Sequence, residues 1–106
     1  MDTPKKTMIE YDDEGFLVDP ASWNEAIAKQ LARQYGIYDL TEQQWSIILE
    51  LRYYYFVHGA IPPLSRICRF NDMDHYCIDT FFRNRGIAAW HIAGLPYPGE
   101  EAIAYM

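Results

Sequence analysis

The chain has 106 residues, half of them hydrophobic and 16% aromatic, and a net charge of -6. That size makes one domain with enough apolar material for a core, without disulfide or metal staples. The negative charge argues against nonspecific binding to nucleic acid or anionic membranes, and no apolar run approaches a membrane span.

The opening Met1-Asp2-Thr3-Pro4-Lys5-Lys6 is polar and lacks the apolar stretch of a signal peptide, so a soluble, cytoplasmic protein is expected. Cys68 and Cys77 fit a reducing compartment and are read as separate thiols, not as a disulfide framework. Ten of the fifteen acids lie at or before Glu50, whereas Arg52, Arg66, Arg69, Arg83 and Arg85 face only Asp72, Asp74 and Asp79 in the same stretch. A locally basic face is possible there; pairing of those arginines with the three aspartates is the plainer reading.

Residues 7–18 read as a β-hairpin. Ile9 and Tyr11 alternate with polar neighbours, Asp12-Asp13-Glu14-Gly15 supplies the turn, and Phe16-Leu17-Val18 returns. A helix over about 20–35 follows, capped by Asp19, with Trp23, Ile27 and Leu31 on one face, Asn24 on the wet side, and Gly36 as its stop. Thr41-x-x-Gln44 is a capping box opening a second helix. From Trp45 to Val57 apolar and aromatic residues cover most of the circumference, which predicts a central, buried helix. His58-Gly59 ends it, and Ile61-Pro62-Pro63 forces an extended link. Short helices are expected at Leu64–Phe70, Asp74–Phe82 and Ile87–Ala93, the last ended by Gly94. Pro96 and Pro98 then stiffen an extended arm without internal hydrogen bonds. The sum is a mostly α (α+β) fold: residues 1–106 as one domain, with a hairpin at 7–18, a helical body of about five helices at 20–93 and an arm at 94–106.

Several segments, in order along the chain, resemble the DsrC/TusE family of small sulfur-handling proteins. They are Gly15-Phe16-Leu17-Val18-Asp19-Pro20-x-x-Trp23-Asn24, then Gly36-Ile37 with Leu40-Thr41-Glu42-x-x-Trp45, and then Leu51-Arg52-x-Tyr54-Tyr55 with Ile61-Pro62-Pro63. The arm motif Ile92-Ala93-Gly94-Leu95-Pro96-x-Pro98 completes the set. The resemblance implies a DsrC-like fold and protein partners of the sulfur-relay or sulfite-reductase type, with the arm as the element that enters them. It also implies a sulfur-accepting cysteine near the end of the arm, where this chain has Glu101 to Tyr105, and in some members a second at the place of Trp90. The family's longer Lys- and Gly-rich loop is shortened here to Asn71-Asp72-Met73-Asp74.

A sulfur carrier needs an exposed, mobile thiolate near positive charge. With no cysteine after Cys77, the expectation is a non-catalytic binding or regulatory protein, not an enzyme. The arm residues Ile92, Ala93, Gly94, Leu95, Pro96 and Pro98 would be its recognition element, with Arg66, Arg83 and Arg85 as basic surroundings by analogy with the family. The first alternative is a diverged carrier or sulfurtransferase using Cys68 or Cys77, although Ile67, Phe70, Tyr76 and Ile78 around them read as core. The second is a helix-turn-helix-like DNA-binding regulator built on 64–70 and 74–82, which the charge opposes.

No cofactor or metal is expected. His58, His75 and His91 have no ligand spacing with the cysteines, and Asp12-Asp13-Glu14 reads as a solvated turn. The Tyr53-Tyr54-Tyr55 run reads as packing before it reads as a stacking surface for RNA bases. No Ser/His/Asp triad, phosphate loop or nucleotide fingerprint occurs.

Overall fold

The computed structural model describes residues 9–74, 76–82 and 85–105. Its α-helices are α1 (Glu25–Arg33), α2 (Glu42–His58), α3 (Leu64–Phe70), α4 (Cys77–Phe81), α5 (Arg85–Ile92) and α6 (Glu100–Tyr105). The described part of the expected hairpin narrows to one antiparallel bridge, Tyr11 to Leu17. The Asp12 carboxylate holds its turn by accepting the Glu14 and Phe16 amides, each at 2.9 Å. Residues 7 and 8 lie outside the described part.

The helix expected at 20–35 is split in two. Asp19 caps a single 3-10 turn, Pro20–Ser22, and Trp23 then runs extended. Asn24, expected on a wet helix face, instead caps α1 by accepting the Ile27 amide at 2.9 Å. The break turns Trp23 away from the α1 axis and sends its indole toward the end of α5. Gly36 closes α1 in the left-handed region with φ +79°.

The capping box on α2 is complete: the Gln44 amide donates to Thr41 Oγ1 and the Thr41 amide to Gln44 Oε1. Gln44 is buried, and its Nε2 also donates to the Phe81 carbonyl at 2.7 Å, joining α2 to the end of α4. The expectation of an almost fully buried α2 is corrected. Ile47, Ile48 and Leu51 are in the core, but Leu49, Tyr53, Phe56 and Val57 stand exposed along another face. The centre is shared with α5, which packs on α1, α2 and α4 and buries Ala88, Ala89, Trp90, His91 and Ile92.

Helix α4 starts at Cys77, later than expected; ahead of it the Asp74 carboxylate accepts the Tyr76 amide instead of leaving it to a helix. It joins α3 through a disulfide between Cys68 and Cys77, with Cα atoms 5.7 Å apart. Reading them as two separate thiols is therefore corrected; both sulfurs lie in the core, with residue exposures of 0% and 2%. Nine-residue spacing alone does not reveal a pairing that depends on how two short helices stack. The stretch after Pro98 is corrected too. Gly99 takes φ +99°, its carbonyl accepts the Ile103 amide at 3.1 Å, and the chain coils into α6.

Among the described residues no helix is long and apolar enough to cross a membrane.

Candidate functional site

The Ile-Ala-Gly-Leu-Pro run does not leave the body as a free arm. Ile92, Ala93 and Leu95 are wholly buried, and the Gly94 amide still donates to the His91 carbonyl at 3.0 Å, so the run begins as the last turn of α5. Gly94 sits at φ +71° directly against Trp23; a Cβ there would lie 2.1 Å from Trp23 Cδ1. Only glycine satisfies both the backbone and that contact.

Three side chains, two of them from distant parts of the sequence, grip the carbonyls of this segment. Trp23 Nε1 donates to Ile92 O at 2.9 Å. Arg52 donates through Nη1 to Ala93 O at 2.9 Å and through Nη2 to Pro20 O at 3.1 Å, bridging the arm's root to the 3-10 turn. Its guanidinium lies 4.2 Å from the Trp23 ring centre and 5.1 Å from that of Phe56. Partial burial holds the Arg52 pKa below its ordinary value. The planar fork of donors suits Arg52 to two carbonyls at once, which a lysine ammonium would not match. Trp90, 1% exposed, donates through Nε1 to Pro96 O at 2.7 Å. The Ile92 and Ala93 carbonyls lie at the end of α5, where the helix itself offers no donor.

His91 is held between two elements. Its Nε2–H donates to Gly15 O at 2.6 Å, and its Nδ1 accepts the Tyr35 hydroxyl at 2.7 Å. The carbonyl can only accept, which fixes the neutral tautomer. Burial pushes the imidazole below the ordinary histidine value, against the opposing pull of the Gly15 carbonyl and Asp12. The ring also lies 4.8 Å from that of Phe16, so the hairpin turn is tied to α5 beside the arm. Beyond this root, Pro96, Tyr97 and Pro98 form one wall of a cleft of about 240 Å³, with Tyr55, Ile61 and Trp90 opposite.

The arm residues Ile92, Ala93, Gly94, Leu95, Pro96 and Pro98 thus share one region with Trp90. Arg66 is placed elsewhere: its guanidinium lies over Tyr54 and Phe70, at 5.7 and 5.2 Å. Arg83 and the Arg85 side chain lie outside the described residues, as does His75. Cys68 and Cys77 are on α3 and α4, bonded to each other and away from the arm's carbonyl clamps. Among the described side chains, Arg52, Arg66 and Arg69 do not pair with Asp72 or Asp74; Arg83 and the side chains of Arg85 and Asp79 lie outside them. Among the described residues Arg52 meets carbonyls and rings, and Arg66 meets rings. Arg52 and Trp23 escaped the sequence reading as site residues; a lone arginine inside the apolar run of α2 was the available signal.

No thiol lies in this cluster, and among the described residues no three His, Cys, Asp or Glu side chains converge as for a metal ion. The cluster can order a segment of chain and present its outer face. Comparison with known proteins gives this geometry a family. DsrC like protein is the family description that matches, over residues 3–100. The chain belongs to this DsrC family. Relatives include the sulfurtransferase TusE of Pectobacterium atrosepticum, 31% identical over 98 residues that cover 85% of this chain and 89% of that protein. TusE of Photorhabdus laumondii is 32% identical, covering 85% and 87%. The oxidised gamma subunit of dissimilatory sulfite reductase (DsrC) from Archaeoglobus fulgidus has a similar structure, with TM-score 0.74, 31% identity and coverage of 86% and 90%. The DsrC/gamma subunit from Pyrobaculum aerophilum gives TM-score 0.71 at 31% identity, covering 86% and 84%. The DsrC-like, mainly helical fold read from the sequence is therefore the fold of this chain.

Proposed function

We propose that this chain serves a cytoplasmic sulfur relay of the TusE and DsrC kind as a docking member that carries no sulfur on its arm. The observation behind this reading is the state of Ile92–Pro98: a segment without a thiol, held to the body by Trp23, Arg52 and Trp90. A carrier thiolate has to reach a partner's persulfide, and the two cysteines here are buried and spent on each other. The fixed outer face of Pro96-Tyr97-Pro98 and the start of α6 would then be what a relay or sulfite-reductase-type partner meets.

A competition assay tests this reading. A TusE relative such as that of Pectobacterium atrosepticum would be loaded with sulfur by its donor, with increasing amounts of this chain present. The expected outcome is slower loading of the relative while this chain gains no sulfur. Unchanged loading at large excess of this chain overturns the docking role.

A second reading is a diverged sulfurtransferase working through the cysteine pair. Two observations favour it: the relatives named above are sulfurtransferases, and Cys68 and Cys77 are already bonded neighbours. A hydrosulfide ion would attack one Sγ; the S–S bond breaks, leaving a persulfide on that cysteine and a thiolate on the other. An acceptor thiolate would then take the outer sulfur. Helices α3 and α4 would have to part to admit either reagent, because both residues are buried. In the same assay this reading predicts sulfur on Cys68 or Cys77. No structural observation favours the DNA-binding alternative, since α4 has only five residues and is bonded to α3.

A further inference from the structure

Helix α3 has two unlike faces. Ile67 and Cys68 are buried against the core, while Arg66, Arg69 and Phe70, three and four residues apart, project together on the outer side. Among the described residues these three line a surface hollow of about 300 Å³, near the lower end of the range for small-molecule sites. Phe70 is 59% exposed, a large aromatic area to leave in water. Arg66 lies over both Phe70 and Tyr54, and the Tyr54 ring centre is in turn 4.3 Å from that of His58 of α2, the two rings tilted by 42°. Among the described residues neither Arg66 nor Arg69 is bonded to a carboxylate or a carbonyl, although Asp72 and Asp74 follow closely in sequence. In a chain with net charge -6, two arginines on one hollow, with no acid bonded to them among the described residues, are an unsatisfied electrostatic feature.

We propose that this corner of α2 and α3 binds a nucleoside phosphate, with the phosphate on Arg66 and Arg69 and the base against the open face of Phe70. Guanidinium groups hold phosphate oxygens through paired N–H donors and, being weakly hydrated, tolerate an aromatic surround better than lysine does. The rings of Tyr54 and Phe70 give the Arg66 guanidinium that aromatic surround. A planar ring beside the anion would cover Phe70, which a bare inorganic anion would leave exposed. The overall negative charge disfavours a long nucleic-acid track but acts little on one local site at physiological salt. This inference rests on the α2–α3 corner alone and is independent of the relay reading.

The test is titration of the full chain, followed by amide chemical shifts, with uridine monophosphate, uridine, inorganic phosphate and a short single-stranded oligouridylate. Saturable shifts centred on α3 are expected with the monophosphate, with uridine and phosphate each at least about ten-fold weaker. Arg66→Ala with Arg69→Ala should abolish them, Phe70→Ala should weaken binding at least about five-fold through lost stacking, and Arg33→Ala on α1 should change nothing. Circular dichroism would verify that these exposed substitutions leave the fold intact. Tighter, salt-steep binding of the oligouridylate identifies the ligand as a unit of an RNA strand, and equal affinity identifies a free nucleotide. Inorganic phosphate binding as tightly as the nucleotide, shifts centred away from α3, or indifference to the arginine pair would overturn the proposal.

Discussion

Replacing Gly94 with alanine concentrates the structural account of the arm in one methyl group. An alanine at φ +71° costs about 1–2 kcal/mol in the left-handed region. Its Cβ would also stand 2.1, 2.6 and 2.9 Å from Trp23 Cδ1, Cγ and Cβ, so the indole and the backbone beneath it have to move. Moving Trp23 removes the donor from Ile92 O, leaving a buried carbonyl unpaired at about 1–3 kcal/mol. It also takes the ring from under Arg52, worth roughly 0.5–1 kcal/mol. The total is about 2.5–6 kcal/mol, a large share of a small domain's stability. Urea unfolding followed by far-ultraviolet circular dichroism measures it. The partner variant Trp23→Ala sharpens the test: with the indole gone, Gly94→Ala should cost clearly less, its backbone share of about 1–2 kcal/mol plus the easing of the 2.9 Å contact to the Cβ that alanine keeps. A loss below about 1 kcal/mol in the wild-type background, or the same loss with and without Trp23, would refute the reasoning.

Other substitutions follow from the same contacts. Arg52→Leu should destabilise by about 2–4 kcal/mol through two lost charge-assisted hydrogen bonds, and Arg52→Lys should recover less than half, both read by urea unfolding. His91 has its folded pKa below the ordinary 6.5, so the unfolded chain binds the proton first. Its contribution is therefore fully present above pH 6.5 and declines as pH falls from there toward the folded value. Unfolding free energies at pH 7 and pH 5.5 should diverge in the wild type and converge in His91→Phe. Reducing the Cys68–Cys77 bond, which closes a loop of sequence separation nine, should cost about 2–3 kcal/mol, seen as a lower urea midpoint with a phosphine reductant present.

The parts of the fold that were legible in the sequence are those decided within a turn or two of chain. Thr41 and Gln44 cap α2 because the box is a local exchange of hydrogen bonds, and Gly36 and Gly59 stop their helices by taking positive φ where expected. What escaped depends on partners far along the chain. Asn24 caps α1 because Trp23 is drawn out of the helix by Ile92, 69 residues away. Arg52 looks like a surface charge until Ala93, 41 residues away, supplies its carbonyl. Cys68 and Cys77 meet only because α3 and α4 stack. The arm itself was named through family resemblance, and its attachment to the body was invisible: two prolines read as a stiff, extended arm, whereas the carbonyls of Ile92, Ala93 and Pro96 are taken up by three side chains of the body. The exposed stripe on α2 was misread because an apolar helix face looks the same in sequence whether or not the fold covers it.

The central claim, docking without carrying sulfur, is tested most directly by intact-mass spectrometry of the native chain after exposure to a persulfide donor, with Cys68→Ser and Cys77→Ser alongside. The account predicts that the wild-type mass stays unchanged, with the cysteines accessible to labelling only after unfolding and reduction. Rapid, stoichiometric gain of sulfur by the native protein, abolished by one of the two substitutions, would contradict it and make that cysteine the carrier.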